Sequence, residues 1–215
     1  MCSRYQLTSD FKDLPDLLKR SLPKNLEANY SKQNLIKPDA PVLVLKNEGK
    51  AMTSIMLWGF ISEWANDPFS TSRPRPRPFN ARAETVKEKK LFRNSWRHKR
   101  CLLPANGFFE KKHLIRRKDS RDFWLGGIWS KWMSQEGSEL ESCCVLTTTP
   151  NKLIRPLHNR MPVIIPYGLE EEWIEPVKST TELQSLDSLL MEWDPDDWIS
   201  EPINQKFSTQ LTFFE

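Results

Sequence analysis

The sequence predicts an α+β domain built around a largely antiparallel sheet. Two observations carry that expectation: runs with strand character crowd the middle of the chain, and helix-like segments flank them. A third bounds its size. At 215 residues, 38% apolar and 28% charged, the chain suits one soluble globular domain spanning 1–215 that can bury a core without staples.

Residues 10–30 are expected to be helical, with Asp10 as cap and Phe11, Leu14, Leu17 and Leu18 sharing a face. Residues 41–46 and 52–61 read as strands parted by a turn at Asn47–Lys50. Residues 66–78 form a Pro-rich basic loop, because Pro at every second position of RPRPRP forbids a helix and favours an extended run. Residues 84–96 again look helical, and LLPANGFFE (102–110) reads as strand, turn, strand. DFWLGGIWSKW (122–132) and SCCVLTTTP (142–150) are further strands, and MPVIIP (161–166) is a short one. Helices return at 168–175 and 180–192, and no internal repeat is visible.

The net charge of +4 hides an asymmetry: residues 73–121 are densely basic, while residues 169–201 are acidic. Such a bipolar chain suits an anionic ligand held on one face; solvated loops and helix faces account for it equally well. Four cysteines (2, 101, 143 and 144) include no CxxC pair, and Cys143 and Cys144 should point to opposite faces of a strand. With no signal-peptide pattern, reduced thiols and a cytoplasmic location are expected, nucleoid-associated if the source is bacterial. The longest apolar stretch, Met52–Ile61, is far too short to span a bilayer, so no membrane partner is expected. No metal-ligand spacing, Walker loop, GxGxxG or GxSxG is present, so neither a metal nor a nucleotide cofactor is expected.

Four segments carry candidate chemistry. Once an aminopeptidase removes Met1, Cys2 bears a free α-amine, titrating near about pH 7.7–8.0, beside its thiol. A 1,2-aminothiol condenses with aldehydes: the amine forms a Schiff base and the thiol closes a thiazolidine ring. In an extended stretch Asn80, Arg82 and Glu84 share one face; Asn orients a nucleophile and Arg grips phosphate, although a polar loop entering a helix fits these residues too. Glu110 ends an aromatic strand, where burial among apolar neighbours suits a carboxyl to donate protons. His158 and Arg160, two apart, would set a proton-transfer group beside a phosphate clamp. His98 and His113 lie in basic runs and are expected to be exposed bystanders.

These pieces occur in an order that resembles the SRAP family (SOS response-associated peptidase, also called abasic-site processing proteins). The matching stretches are MCSRY (1–5), NLIKP (34–38), LWGFISEWA (57–65), NARAET (80–85), RCLLPANGFFE (100–110), LTTTP (146–150) and LHNRMPVII (157–165). The resemblance implies a compact, barrel-like β core with peripheral helices. It implies single-stranded DNA containing abasic sites as partner, trapped covalently by Cys2 as a thiazolidine. Asn80, Glu110 and His158 then match the catalytic residues beside Cys2, Arg82 and Arg160 match phosphate-binding arginines, and Trp64 falls in a tryptophan motif along the DNA path. Arg4 is expected to join the phosphate grip, and a monomer with no cofactor is expected. Weak lyase activity and self-removal of Met1 are further expectations; a thiol peptidase using Cys2, Glu110 and His158, or a non-covalent single-strand binder, are the alternatives. Ser3, Asn106 and Lys111 depart from the family's usual Gly, Asp and Trp.

Overall fold

The computed structural model describes residues 3–70, 77–177 and 179–203. Its strands are β1 (Tyr5–Leu7), β2 (Gln33–Ile36), β3 (Pro41–Asn47), β4 (Ala51–Trp58), β5 (Asn80–Arg82), β6 (Arg100–Ala105), β7 (Gly107–Glu110), β8 (His113–Arg117), β9 (Phe123–Met133), β10 (Glu139–Thr148), β11 (Met161–Pro162), β12 (Ile164–Ile165) and β13 (Trp198–Pro202). The short helices are α1 (Asp16–Ser21), α2 (Lys24–Glu27), α3 (Arg93–His98), α4 (Glu170–Ile174) and α5 (Thr180–Ser185).

The expected β3–β4 hairpin forms around a turn in which Gly49 takes φ +84°, a conformation open to glycine at little cost. From β4 the ladder runs through β3, β6 and β9 to β10, and β10 returns to pair with β4. That is a closed five-stranded ring in which only the β10–β4 contact is parallel. Closure removes the open strand edges that would otherwise invite intermolecular pairing. A second, wholly antiparallel sheet has the order β13-β8-β7-β1-β2. Strands β6 and β7 are separated by Asn106 alone, yet they lie in different sheets, so this segment is a crossing and not a hairpin. The crossing is crowded at Gly107, where a Cβ would stand 2.7 Å from Leu114 Cδ1 and displace that side chain.

The core is aromatic. Trp58, Trp96, Trp124, Trp129 and Trp173 are essentially fully buried, so most of the nine tryptophans serve packing; truncating one to alanine costs about 3–5 kcal/mol. Arg100 is buried with them and donates to the carbonyls of Trp96 (2.7 Å), Arg97 (3.1 Å), Trp173 (2.7 Å) and Glu175, tying α3 and α4 to β6. Burial pushes its pKa down to about 10, so it keeps its charge at neutral pH.

Several elements differ from expectation. The 10–30 helix is broken: Pro15 and Pro23 sit at the N-caps of α1 and α2, and each stops the preceding turn. Asp10 caps nothing with its side chain and pairs instead with Lys32 at 2.9 Å, although Leu14 and Leu18 do reach the core. Of 84–96 only the last part is helical. Val86 and Phe92 are both buried, and six residues apart they cannot share a helix face, so tight turns bring them inward. The predicted 180–192 helix is α5 followed by a 3-10 turn, Leu186–Leu190. Strands β8 and β13, hidden in the basic and acidic runs, pair with each other, and Arg116 meets Glu201 through two 2.7 Å bonds. Lys87–Asp187 and, at 3.9 Å, Arg117–Asp197 join the same two runs. Part of the charge asymmetry is thus met within the molecule. His113 is half-buried in β8, not exposed, and the stretch 71–76 of the basic loop lies outside the described residues.

Asp122, 5% exposed at the entry to β9, accepts from Ser9 Oγ while its Oδ2 is buried with no partner among the described residues. Burial, aided by the nearby Asp13 charge, pushes its pKa from 3.8 up to about 6. The folded carboxyl holds its proton where the unfolded one has lost it, so this group stabilises the fold below 3.8 and the contribution disappears as pH rises through about 6. In urea unfolding, Asp122→Asn should flatten that fall in stability; an unchanged pH slope would refute the assignment. At Gly127, where β6, β9 and β10 crowd, a Cβ would lie 2.8 Å from the Cys144 carbonyl oxygen, whereas at Gly126 it meets only side-chain carbons at 3.1–3.2 Å. Gly127→Ala should therefore lower stability by about 1–3 kcal/mol, and clearly more than Gly126→Ala, in the same assay.

Candidate active site

Four of the candidate residues, Asn80, Arg82, His158 and Arg160, lie on segments held by the far end of β10. On one edge β5 runs parallel to it, with Asn80 opposite Val145 and Arg82 opposite Thr147. Strand alternation buries Ala81 and turns half-buried Asn80 and exposed Arg82 to the other face, as the spacing predicts. On the other edge, β11 pairs Pro162 with Thr147 and Met161 with Thr148.

The segment joining β10 to β11 carries His158 and Arg160. Buried Asn151 nucleates it: its Oδ1 accepts from Leu153 N and Ile154 N, both at 3.1 Å, and its Nδ2 donates to the Trp193 carbonyl at 3.0 Å. His158 N then donates to Ile154 O at 2.9 Å. The backbone N–H of Arg160 donates to His158 Nδ1 at 2.9 Å. A neutral imidazole that accepts at Nδ1 carries its proton on Nε2, so His158 offers an N–H donor at its other nitrogen. The Arg160 guanidinium, 12% exposed, grips Glu84 with Nη1–Oε1 at 2.6 Å and Nη2–Oε2 at 2.8 Å, and also donates to the Thr147 carbonyl. That bidentate bond holds the Glu84 carboxyl below the usual carboxylate range.

Glu110 ends β7 and is 7% exposed. Strand β1 pairs with β7 through Tyr5–Phe108 and Gln6–Gly107, and Phe109 N donates to Arg4 O at 2.9 Å. This antiparallel register leads the start of the chain toward Glu110. Arg4 is half-buried, with its guanidinium 3.5 Å from the Lys111 carbonyl; Lys111 takes φ 52° in the turn that sets His113 opposite Glu110. Cys2 lies outside the described residues.

Two tryptophans that sequence reasoning did not single out link these parts. Trp58 meets Tyr5 of β1 edge-on at 5.1 Å and donates from Nε1 to Phe79 O at 2.9 Å, one residue before Asn80. Trp193 packs on Phe108 of β7 at 6.5 Å and donates to Pro162 O at 3.1 Å, two residues after Arg160. Neither falls at a spacing that marks a site; both read as core. Trp64 stands apart from the cluster. It is 56% exposed, with the Lys90 ammonium 5.5 Å from its ring centre, and it walls a cleft of about 380 Å³ that ends at Arg77 and Pro78, just before β5. Among the described residues, no three His, Cys, Asp or Glu side chains group as metal ligands, and no helix is long and apolar enough to cross a membrane.

The ring and its companion sheet define a class of fold already seen in solved structures. A protein of Bacteroides thetaiotaomicron superposes with a TM-score of 0.79 at 23% identity, covering 97% of this chain and 94% of that one. A protein of Bordetella bronchiseptica gives 0.75 at 19% identity, covering 94% and 100%. Residues 1–209 match the model of SRAP, the SOS response associated peptidase family, and the chain belongs to that family. Its relatives include the abasic site processing protein YoqW of Bacillus subtilis, 35% identical over 92% of this chain and 89% of that protein. The abasic site processing protein YedK of Escherichia coli is 23% identical over 81% of this chain and 79% of its own length.

Because Asn151 satisfies two backbone N–H groups at once, Asn151→Ala should cost about 1–3 kcal/mol in urea unfolding. Trp64→Ala, at an exposed position, should stay within about 0.5 kcal/mol.

Proposed function

We propose that this protein captures abasic sites in single-stranded DNA by a covalent thiazolidine bond to Cys2 after loss of Met1. The observation that carries the reading is the meeting of elements around the end of β10. There β5 presents Asn80 and Arg82, and the β10–β11 segment presents His158. β1 directs the chain start along Glu110, and aromatic bridges tie it to both. The names of the curated relatives support the same reading.

The steps balance without an outside reagent. The ring-opened sugar exposes an aldehyde at C1′, the Cys2 amine adds to give a carbinolamine, and loss of one water leaves a Schiff base. The thiol adds across that C=N bond and its proton passes to nitrogen, closing the ring. Glu110 shuttles the protons of ring opening and water loss, and Asn80 holds the amine and thiol. His158, as an Nε2–H donor, stabilises the sugar oxygen. Arg4 and Arg82 contact flanking phosphates, Arg160 does so while sharing its guanidinium with Glu84, and Trp64 stacks on the strand. β-Elimination from the Schiff base gives weak lyase activity. A reduced, cytoplasmic setting keeps the Cys2 thiol available.

A thiol peptidase needs an imidazole nitrogen free to accept the thiol proton. Nδ1 of His158 is occupied by a backbone N–H and Nε2 carries the proton, which supports capture over hydrolysis.

The test is a denaturing gel and intact mass after mixing the Met1-processed protein with a uracil-excised single-stranded oligonucleotide. A heat-stable adduct is expected, lost in Cys2→Ala and slowed by roughly 10²–10⁴-fold in Glu110→Gln. An absent wild-type adduct, or equal cross-linking by Cys2→Ala, would sink the proposal. Trp64→Ala should weaken non-covalent binding by about 1–3 kcal/mol.

A further inference from the structure

We infer that Glu84 is a positioning residue: by clamping Arg160 it fixes the bend at 158–160 and thereby decides which nitrogen of His158 carries the proton. The short contact from Arg160 N to His158 Nδ1 spans two residues and needs a tightly held bend. The anchor of that bend lies on a different element. Glu84 follows β5 directly, and Ala83 N donates at 2.9 Å to the same Thr147 carbonyl that receives Arg160 Nη2. That oxygen therefore has both lone pairs engaged, one by the β5 extension and one by the segment bearing His158.

Thr147 cannot hold Arg160 alone. Both terminal nitrogens rely on Glu84 for their bidentate partner, and the buried Nε has no partner among the described residues. A glutamine at 84 offers one oxygen and sets an N–H₂ donor against a guanidinium that has only donors. The guanidinium then moves, the bend loosens, and Nδ1 loses its donor. Once Nδ1 is released, the preference for a proton on Nε2 weakens. The structural claim concerns the folded protein by itself; only its kinetic consequence rests on the reading of this site as an abasic-site trap.

The direct test is imidazole ¹⁵N NMR of the full chain at alkaline pH, where only three histidines contribute. Wild type should show His158 as the Nε2–H tautomer, and Glu84→Gln should show a measurable Nδ1–H population. In cross-linking at saturating abasic DNA, Glu84→Gln should be slower by about tenfold or more. Its affinity for an undamaged single strand should stay within about twofold of wild type, or rise as Arg160 is released. Glu84→Asp should restore part of the rate. Arg160→Lys, which keeps the charge but loses the fork, should shift the tautomer in the same way and replaces Glu84→Gln if that variant fails to fold. An Nδ1–H tautomer in wild type, or an unchanged Nε2–H tautomer in both folded variants, would overturn the inference. A tautomer shift in the variants together with no adduct from wild type would overturn the proposed function instead.

Discussion

Everything in this molecule depends on how β10 satisfies its two edges. A buried strand must pair its backbone groups on both sides, and β10 does so with four partners. On one edge it passes from β4 to β5 midway along its length; on the other it passes from β9 to β11. The first half of each edge closes the barrel. The second half, relieved of that task, fixes β5 and the His158–Arg160 segment to the same few residues. The barrel and the candidate site are successive stretches of one strand, so the rigidity of the first is passed directly to the second. This is the arrangement expected of a site whose groups must be held to a fraction of an ångström.

How much of this was legible in the sequence depended on whether a segment's partner was local. The β3–β4 hairpin could be read because alternation and a Gly-bearing turn are both local, and β9 and β10 because their apolar runs are long. Asn80 and Arg82 fell on one face as their spacing demands. Strands β8 and β13 were illegible, since HLIRR and WISEP owe their strand state to each other across 85 residues between Arg116 and Glu201. The helix expected over 10–30 followed the apolar spacing and gave too little weight to Pro15 and Pro23. At the site, residue types suggested chemistry, but the Glu84–Arg160 clamp and the occupied Nδ1 of His158 are facts of tertiary geometry. Glu84 had been noticed only as a third member of an alternating face.

Composition misleads in a similar way when read without contacts. Nine tryptophans suggest stacking platforms, yet most are interior, and only Trp64 and its cleft offer an exposed indole beside cations. Basic and acidic runs suggest a field for an anionic partner, yet they also supply partners to each other, as at Arg116–Glu201 and Lys87–Asp187. What remains for the proposed polyanion is set by individual exposed side chains such as Arg82 and Lys90. The gross dipole of the sequence does not decide it.

Cys101, Cys143 and Cys144 have one more bearing on the chemistry. All three are sealed in the barrel, Cys143 and Cys144 on both faces of β10, and burial raises their thiol pKa values, so they stay protonated and unreactive. The capture proposed above requires that the aldehyde not be spent on the wrong thiol, and that no internal disulfide distort the frame. Three sulfurs beyond the reach of solvent leave the proposed capture to Cys2. On that reading, competition among the chain's own thiols is settled by folding before any lesion arrives.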